Sequence, residues 1–128
     1  MKSTSMSGYH DLEVYMTALD LALKVHHESL KLPGFELYEQ GSQVRRSSKS
    51  IKDLIAEGYG RRKYKAEFIK YLVYSLASCD ECSNQIETIA QLYPEQPIWK
   101  ELQPEYDILG KKINKFIQYV ESNWNKIH

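Results

Sequence analysis

From Trp99 to Trp124, apolar side chains return in steps of three and four: Trp99, Leu102, Tyr106, Leu109, Ile113, Phe116, Val120 and Trp124. That spacing places them on one face of a helix, and a face of this kind must be covered by other elements. Three upstream segments carry the same signal. Leu12, Met16, Leu19, Leu23, His26 and Leu30 mark a first helix from about Asp11 to Lys31, with Asp11 as its cap and Pro33-Gly34 as its stop. Val44, Ser48, Ile51 and Ile55 mark a second, from Phe35 or Glu36 to Glu57. Gly41-Ser42 is placed to split off its first turns, with Ser42 as a second cap. Phe68, Leu72, Leu76, Cys79, Ser83, Ile86 and Ala90 mark a third, from Arg61 to Leu92, which Pro94 and Pro97 end. The fourth runs from Ile98 to Asn125, and Pro104 suits it if the regular helix starts there. No convincing strand alternation intervenes. Four long amphipathic helices with short connections predict an all-α, antiparallel up-down four-helix bundle.

At 128 residues there is room for one core. The expected organisation is a disordered tail over residues 1–8 and a single bundle domain over 9–128. The first residues carry no apolar run of the kind a secretion signal needs, and Met6 offers an alternative start. No apolar run reaches the ~20 residues of a membrane span. Cys79 and Cys82, three apart on a helix, make a poor disulfide frame and suggest a reduced, cytoplasmic setting.

Charge is where this neutral chain departs from an ordinary bundle. Residues 44–70 hold nine Lys/Arg against three Asp/Glu, a net of +6, while each flank carries −3. A concentrated basic middle is suited to an anionic ligand. The candidate nucleic-acid-binding residues are Arg45, Arg46, Lys49 and Lys52 on the second helix and Arg61, Arg62, Lys63 and Lys65 at the start of the third. Arg45, Lys49 and Lys52 fall within about 60° on a helical wheel, where like charges repel. The other four crowd a predicted helix N-terminus, which disfavours cations. Glu57, Gly58 and Gly60 form the predicted turn between the two helices, with Gly58 as a left-handed C-terminal cap. Glu57 is placed to pair with Arg45, Arg61 or Arg62. Tyr59 and Tyr64 flank the arginines, either to stack on bases or to pack at the helix ends.

Enzymatic signals are weak. Gly58-Tyr59-Gly60 lacks the third glycine and the preceding strand of a dinucleotide loop. A single CxxC without histidines at ligand spacing reads as core packing and not as a zinc site. His26 falls on the predicted core face and His27 outside it. Ser47, Ser48 and Ser50 are small residues for close packing, with no base beside them. No catalytic group, cofactor or metal is expected. From Phe68 to Ala77 only Lys70 and Ser75 are polar, tyrosine hydroxyls aside. Ile69, Val73 and Ala77 therefore make a second apolar face beside the core stripe. That face predicts a homo-oligomer interface, against the alternative of a broad core face edged by aromatic rings.

Several segments, in order, carry a family resemblance: Asp11-Leu12-Glu13-Val14-Tyr15, Gln43-Val44-Arg45-Arg46-Ser47, Ser50-Ile51, Ile55-Ala56-Glu57-Gly58-Tyr59-Gly60-Arg61 and Glu67-Phe68-Ile69-Lys70-Tyr71-Leu72. With these the chain resembles the four-helix-bundle family named after proteins encoded in the intervening sequences of bacterial 23S rRNA genes. The resemblance implies an up-down bundle assembled as a ring, typically a pentamer, with suspected nucleic-acid binding. It also implies an alternative, a structural or protein-interaction oligomer such as a reverse-transcriptase accessory subunit. Where the family usually has Ser-Ile-Pro-Ala-Asn, this chain has Ser50-Ile51-Lys52-Asp53-Leu54. Without the proline, the second helix should run straighter.

Overall fold

The computed structural model describes residues 8–127, with side chains described through Trp124. Apart from Gly8, the expected tail lies outside the described residues. Four helices carry the fold: α1 (Glu13–Ser29), α2 (Gln40–Gly60), α3 (Lys65–Leu92) and α4 (Ile98–Ile127). Short 3-10 turns at Tyr9–Asp11 and Gly34–Tyr38 precede α1 and α2. There is no strand among the described residues, and no helix among them is long and apolar enough to cross a membrane.

Cross-helix contacts fix the topology. Ser29 meets Arg45 and His26 meets Lys49, so α1 and α2 run antiparallel. Gly58 meets Tyr71, Ser75 bonds to the Ile51 carbonyl at 2.8 Å, and Ser47 bonds to Gln85 at 2.6 Å, so α2 and α3 do too. Phe68 meets Phe116 and Trp124, while Cys79 lies against the Tyr106 carbonyl, which reverses α4 against α3. Glu13–Lys112 and Lys24–Glu105 close the square between α1 and α4. The bundle is up-down and antiparallel, as its periodicity predicts.

The core follows the predicted stripes on α3 and α4 with small shifts. Cys82 and Ile89 are buried beside Phe68, Leu72, Cys79 and Ile86, while Leu76, Ser83 and Ala90 sit at the edge. On α4, Ile117 takes the place expected for Phe116, which is half-buried. Pro104 lies inside α4 and not at its start. Fully buried Trp99 and Leu102 anchor the earlier turns, and both Pro104 and Lys100, whose carbonyl loses its helical partner there, face solvent.

On α1 the predicted face is wrong beyond Leu12, which is buried at the N-terminal cap. The buried residues are Val14, Ala18, Leu21, Ala22, Val25 and Ser29, whereas Met16, Leu23 and Leu30 are about half exposed. Small side chains at 18, 22 and 29 let α1 lie close to its neighbours, so this stripe is buried in place of the bulkier one. The expected caps also differ. Leu12 caps α1 and Glu39 caps α2, neither through a side-chain bond, and Ser42 lies inside α2. Asp11 belongs to the preceding 3-10 turn.

Glu36 is buried in the turn before α2, where its carboxylate accepts a 2.7 Å bond from the Tyr93 hydroxyl. That bond pushes the Tyr93 phenol up to about 12 and ties this loop to the end of α3. α2 is unbroken across Ile51–Leu54, where the related pattern has its proline.

Candidate nucleic-acid interface

Two corrections reshape the corner between α2 and α3. First, α2 continues to Gly60, and no glycine among the described residues has positive φ. Gly58 is therefore no left-handed cap. It is buried inside the last turns of α2, where an added Cβ would stand 2.9 Å from the Tyr71 Cβ and 3.3 Å from a Phe68 ring carbon. Glycine is present because α2 and α3 nearly touch. Second, α3 begins at Lys65, so Arg61, Arg62 and Lys63 lie in the turn that follows α2. A helix C-terminus favours cations, so the expected dipole penalty becomes a favourable term. The turn is closed by backbone bonds from Arg61 to Gly58, Arg62 to Tyr59 and Tyr64 to Arg61.

Aromatic rings hold the arginines. The Arg62 guanidinium lies 4.0 Å from the Tyr59 ring centroid and donates to the Tyr59 carbonyl at 3.0 Å. The Arg61 guanidinium lies 4.7 Å from the Tyr71 centroid. Tyr59 is itself buried, edge-on to Phe68 and Trp124. It is thus a platform for Arg62 and cannot stack on a base. Tyr64 is exposed, with the Lys63 ammonium 5.8 Å from its ring. Stacking occupies the guanidinium faces but leaves N–H edges for an oxyanion. Lys65, by contrast, donates to the Glu121 carbonyl on α4. Glu57 stands 3.9 Å from Arg61, with both side chains nearly half exposed, a pair of the weak surface kind. The predicted staple is present, but it leaves Arg62 and Lys63 unmatched by any ion pair among the described residues.

The other four cations do not join this corner. At roughly 1.5 Å per residue, Arg45 lies about 24 Å down α2 from Arg61. Its guanidinium donates to Ser29 at 2.9 Å and to the Leu37 carbonyl at 2.7 Å, tying α1 and its following loop to α2. Lys52 pairs with Asp53. Arg46 is exposed on the α3 side of α2, beside Gln43, Ser50, Glu81 and Gln85. Lys49 reaches across to His26, its ammonium 3.1 Å from Nδ1. A run that is continuous in sequence is thus spread by the helical twist into three separate groups.

His26 is half-buried and His27 exposed. Burial, then the positive charges of Lys49, His27 and Arg45, hold the His26 imidazole below its usual range. The folded protein therefore favours neutral His26. That contribution is complete above the unfolded value near 6.5 and is lost as pH falls through the lower folded value. Urea unfolding at pH 7 and pH 5 should show a loss of stability on acidification that shrinks in His26→Gln. An equal loss in both proteins contradicts this account.

Cys79 and Cys82 are free, buried thiols, and burial pushes them up to about 12 and about 11. Neither is a ready nucleophile. Of the expected interface residues, Val73 and Ala77 are exposed on α3, while Ile69 is half-buried against the core. The sequence reading missed Tyr71 as the support for Arg61, and it missed the exposed stripe of α1.

Fold and corner together define a class: a small up-down four-helix bundle with a cationic, aromatic-backed corner. The chain belongs to the family of 23S rRNA-intervening sequence proteins, whose sequence model matches residues 10–115. The match takes in α1, α2, α3 and more than half of α4. Comparison with curated proteins finds no match.

Proposed function

We propose that this protein is a non-enzymatic, ring-forming homo-oligomer that binds nucleic acid, RNA foremost, through the corner of Arg61, Arg62 and Lys63. One observation carries the reading. The corner gathers three cations, two of them arginines seated on the Tyr59 and Tyr71 rings, and opposes them with one exposed carboxylate, Glu57, among the described ion pairs. Arginines pre-oriented in this way lose little freedom on meeting phosphates. Assembly repeats the corner in each subunit, so modest contacts add through effective concentration. Lys49 and Arg46 lie too far along α2 to share one phosphate with the corner, but they can extend a track for a longer strand.

The test is binding to a mixed panel of RNA and DNA over a salt series. Affinity should fall steeply with salt. Arg61→Glu/Arg62→Glu should weaken it at least ~10-fold and lower the salt slope by about 2. Absence of binding at low salt sinks this reading. It then favours the protein-interaction oligomer, such as a reverse-transcriptase accessory subunit, which the exposed apolar side chains on α1 and α3 would suit.

A further inference from the structure

The corner opens onto the seam between α2 and α3. Arg61 sits on the Tyr71 ring, and one turn further along α3 comes Tyr74, 49% exposed, its ring edge-on to Tyr71 at 5.8 Å. The Ser50 and Ser78 hydroxyls then meet at 3.1 Å across the seam. Past them lies a groove of about 440 Å³, lined by Gln43, Arg46, Ser47, Ser50, Glu81 and Gln85. Arg46 on α2 and Glu81 on α3 are both exposed, and neither side chain joins an ion pair or hydrogen bond among the described residues. The buried Ser47 hydroxyl donates to Gln85 Oε1 at 2.6 Å, which leaves the Gln85 amide N–H groups for a ligand. Charges alternate along the seam, where Glu57 pairs with Arg61 and Glu67 with Lys70. A surface so nearly neutral suits base edges better than phosphates.

We infer that a single strand gripped at the corner runs along this seam, stacks a base on Tyr74 and seats a guanine in the groove of Arg46 and Glu81. This rests on the nucleic-acid binding of the proposed function and names the form of the ligand and its preferred base. Arg46 lies about 22 Å down α2 from Arg61, roughly the span of six stacked nucleotides at about 3.4 Å each. Tyr74 falls between them, since its neighbour Ser75 bonds to the Ile51 carbonyl while Tyr71 meets Gly58. Every base has a face to lay on Tyr74. The groove is more selective. A guanidinium presents parallel N–H groups, and guanine answers with two adjacent acceptors, O6 and N7. A carboxylate presents two acceptors, and guanine answers with two adjacent donors, its ring N–H and its amino group. No other base carries both pairs. Set on the two walls of one groove, Arg46 and Glu81 can hold both edges of a single ring, with the Gln85 amide beside them. In a duplex the donor edge is already paired, so the groove requires a single strand.

The test is a fluorescence-anisotropy titration with RNAs of about 12 uridines, long enough to span corner and groove, that carry a central G, A, C or U. The G strand should bind about 10-fold tighter than the other three, and annealing to a complement should abolish that preference. Arg46→Lys keeps the charge but loses the fork, and should reduce the preference to under about 2-fold. Glu81→Gln removes a negative charge, so it should bind the all-U strand at least as well as the unaltered protein yet lose the preference for G. That combination cannot arise from misfolding. Tyr74→Leu should weaken all four strands by a similar few-fold factor. GMP alone should bind at least ~10-fold more weakly than the G strand, because it lacks the grip at the corner. Equal binding of the four strands, or a preference kept by both Arg46→Lys and Glu81→Gln, overturns the guanine groove and leaves the nucleic-acid reading standing. Unchanged affinity in Tyr74→Leu overturns the path along the seam. GMP that binds as tightly as the G strand makes the groove a free-nucleotide site and overturns that path too. No binding of any strand at low salt overturns both this inference and the function it rests on.

Discussion

Gly58→Val is expected to destabilise the protein by about 3 kcal/mol, at the upper end of the cost of overpacking a close contact. The first atom its side chain meets is the Tyr71 Cβ, at 2.9 Å, with a Phe68 ring carbon at 3.3 Å and the Phe68 carbonyl oxygen at 3.4 Å. None of these is the free end of a flexible side chain. Relief requires α2 and α3 to separate at the point where Phe68 and Leu72 are wholly buried. Gly60→Ala is the control. It lies two residues on, at the end of the same helix, with helical φ and nothing within 4 Å of its added Cβ. There, removing glycine's backbone entropy should stabilise by up to about 1 kcal/mol. Urea or thermal unfolding of the two variants should give shifts of opposite sign. At this chain length, Gly58→Val should lower Tm by roughly 10 °C. A cost below about 1 kcal/mol would mean that the helices do not meet at Gly58.

The same glycine shows where sequence stops informing. A glycine before an arginine-rich turn reads equally as a left-handed cap or as a point of close approach, because both require the absence of a Cβ. Only the position of Tyr71, thirteen residues away on another helix, decides between them. The four helices were legible because each carries an apolar period that only a helix can bury. The buried face of α1 was not, because that helix has two stripes at the same spacing. One is bulky (Met16, Leu19, Leu23, Leu30) and the other, Leu21 apart, is smaller (Val14, Ala18, Ala22, Val25). Hydrophobicity favours the first, but packing distance selects the second. The basic block was legible as composition and misleading as geometry. Arg45 and Arg46 are neighbours in the chain, yet Arg45 turns toward α1 and Ser29 while Arg46 faces the α3 side. Only Arg61, Arg62 and Lys63, which lie in a turn, stay together. Where the related pattern has its proline, near Ile51, α2 is one unbroken helix with no residue that lacks a backbone N–H.

Phe68→Ala is expected to cost about 3–5 kcal/mol, the range for removing a fully buried phenylalanine. Phe68 is fully buried and stands at the centre of the ring cluster beneath the corner. Its centroid is 5.1 Å from that of Trp124, 5.9 Å from Phe116 and 6.2 Å from Tyr59, all edge-on. Truncation leaves a cavity that these rings cannot fill without abandoning their packing against one another. The loss then reaches the surface, because Tyr59 carries Arg62 on its exposed side. Phe68→Leu separates the two consequences. It keeps most of the apolar volume and should cost under about 2 kcal/mol, leaving a folded protein in which Tyr59 has lost one edge partner. If the floor positions the arginines, Phe68→Leu should weaken nucleic-acid binding by a few-fold while keeping the unaltered salt slope, since no charge has been removed. Arg62→Glu should do the reverse, lowering the slope with little change in unfolding. Should Phe68→Ala unfold at the same denaturant concentration as the unaltered protein, the aromatic cluster does not organise this end of the bundle. The arginines would then owe their placement to the turn backbone alone.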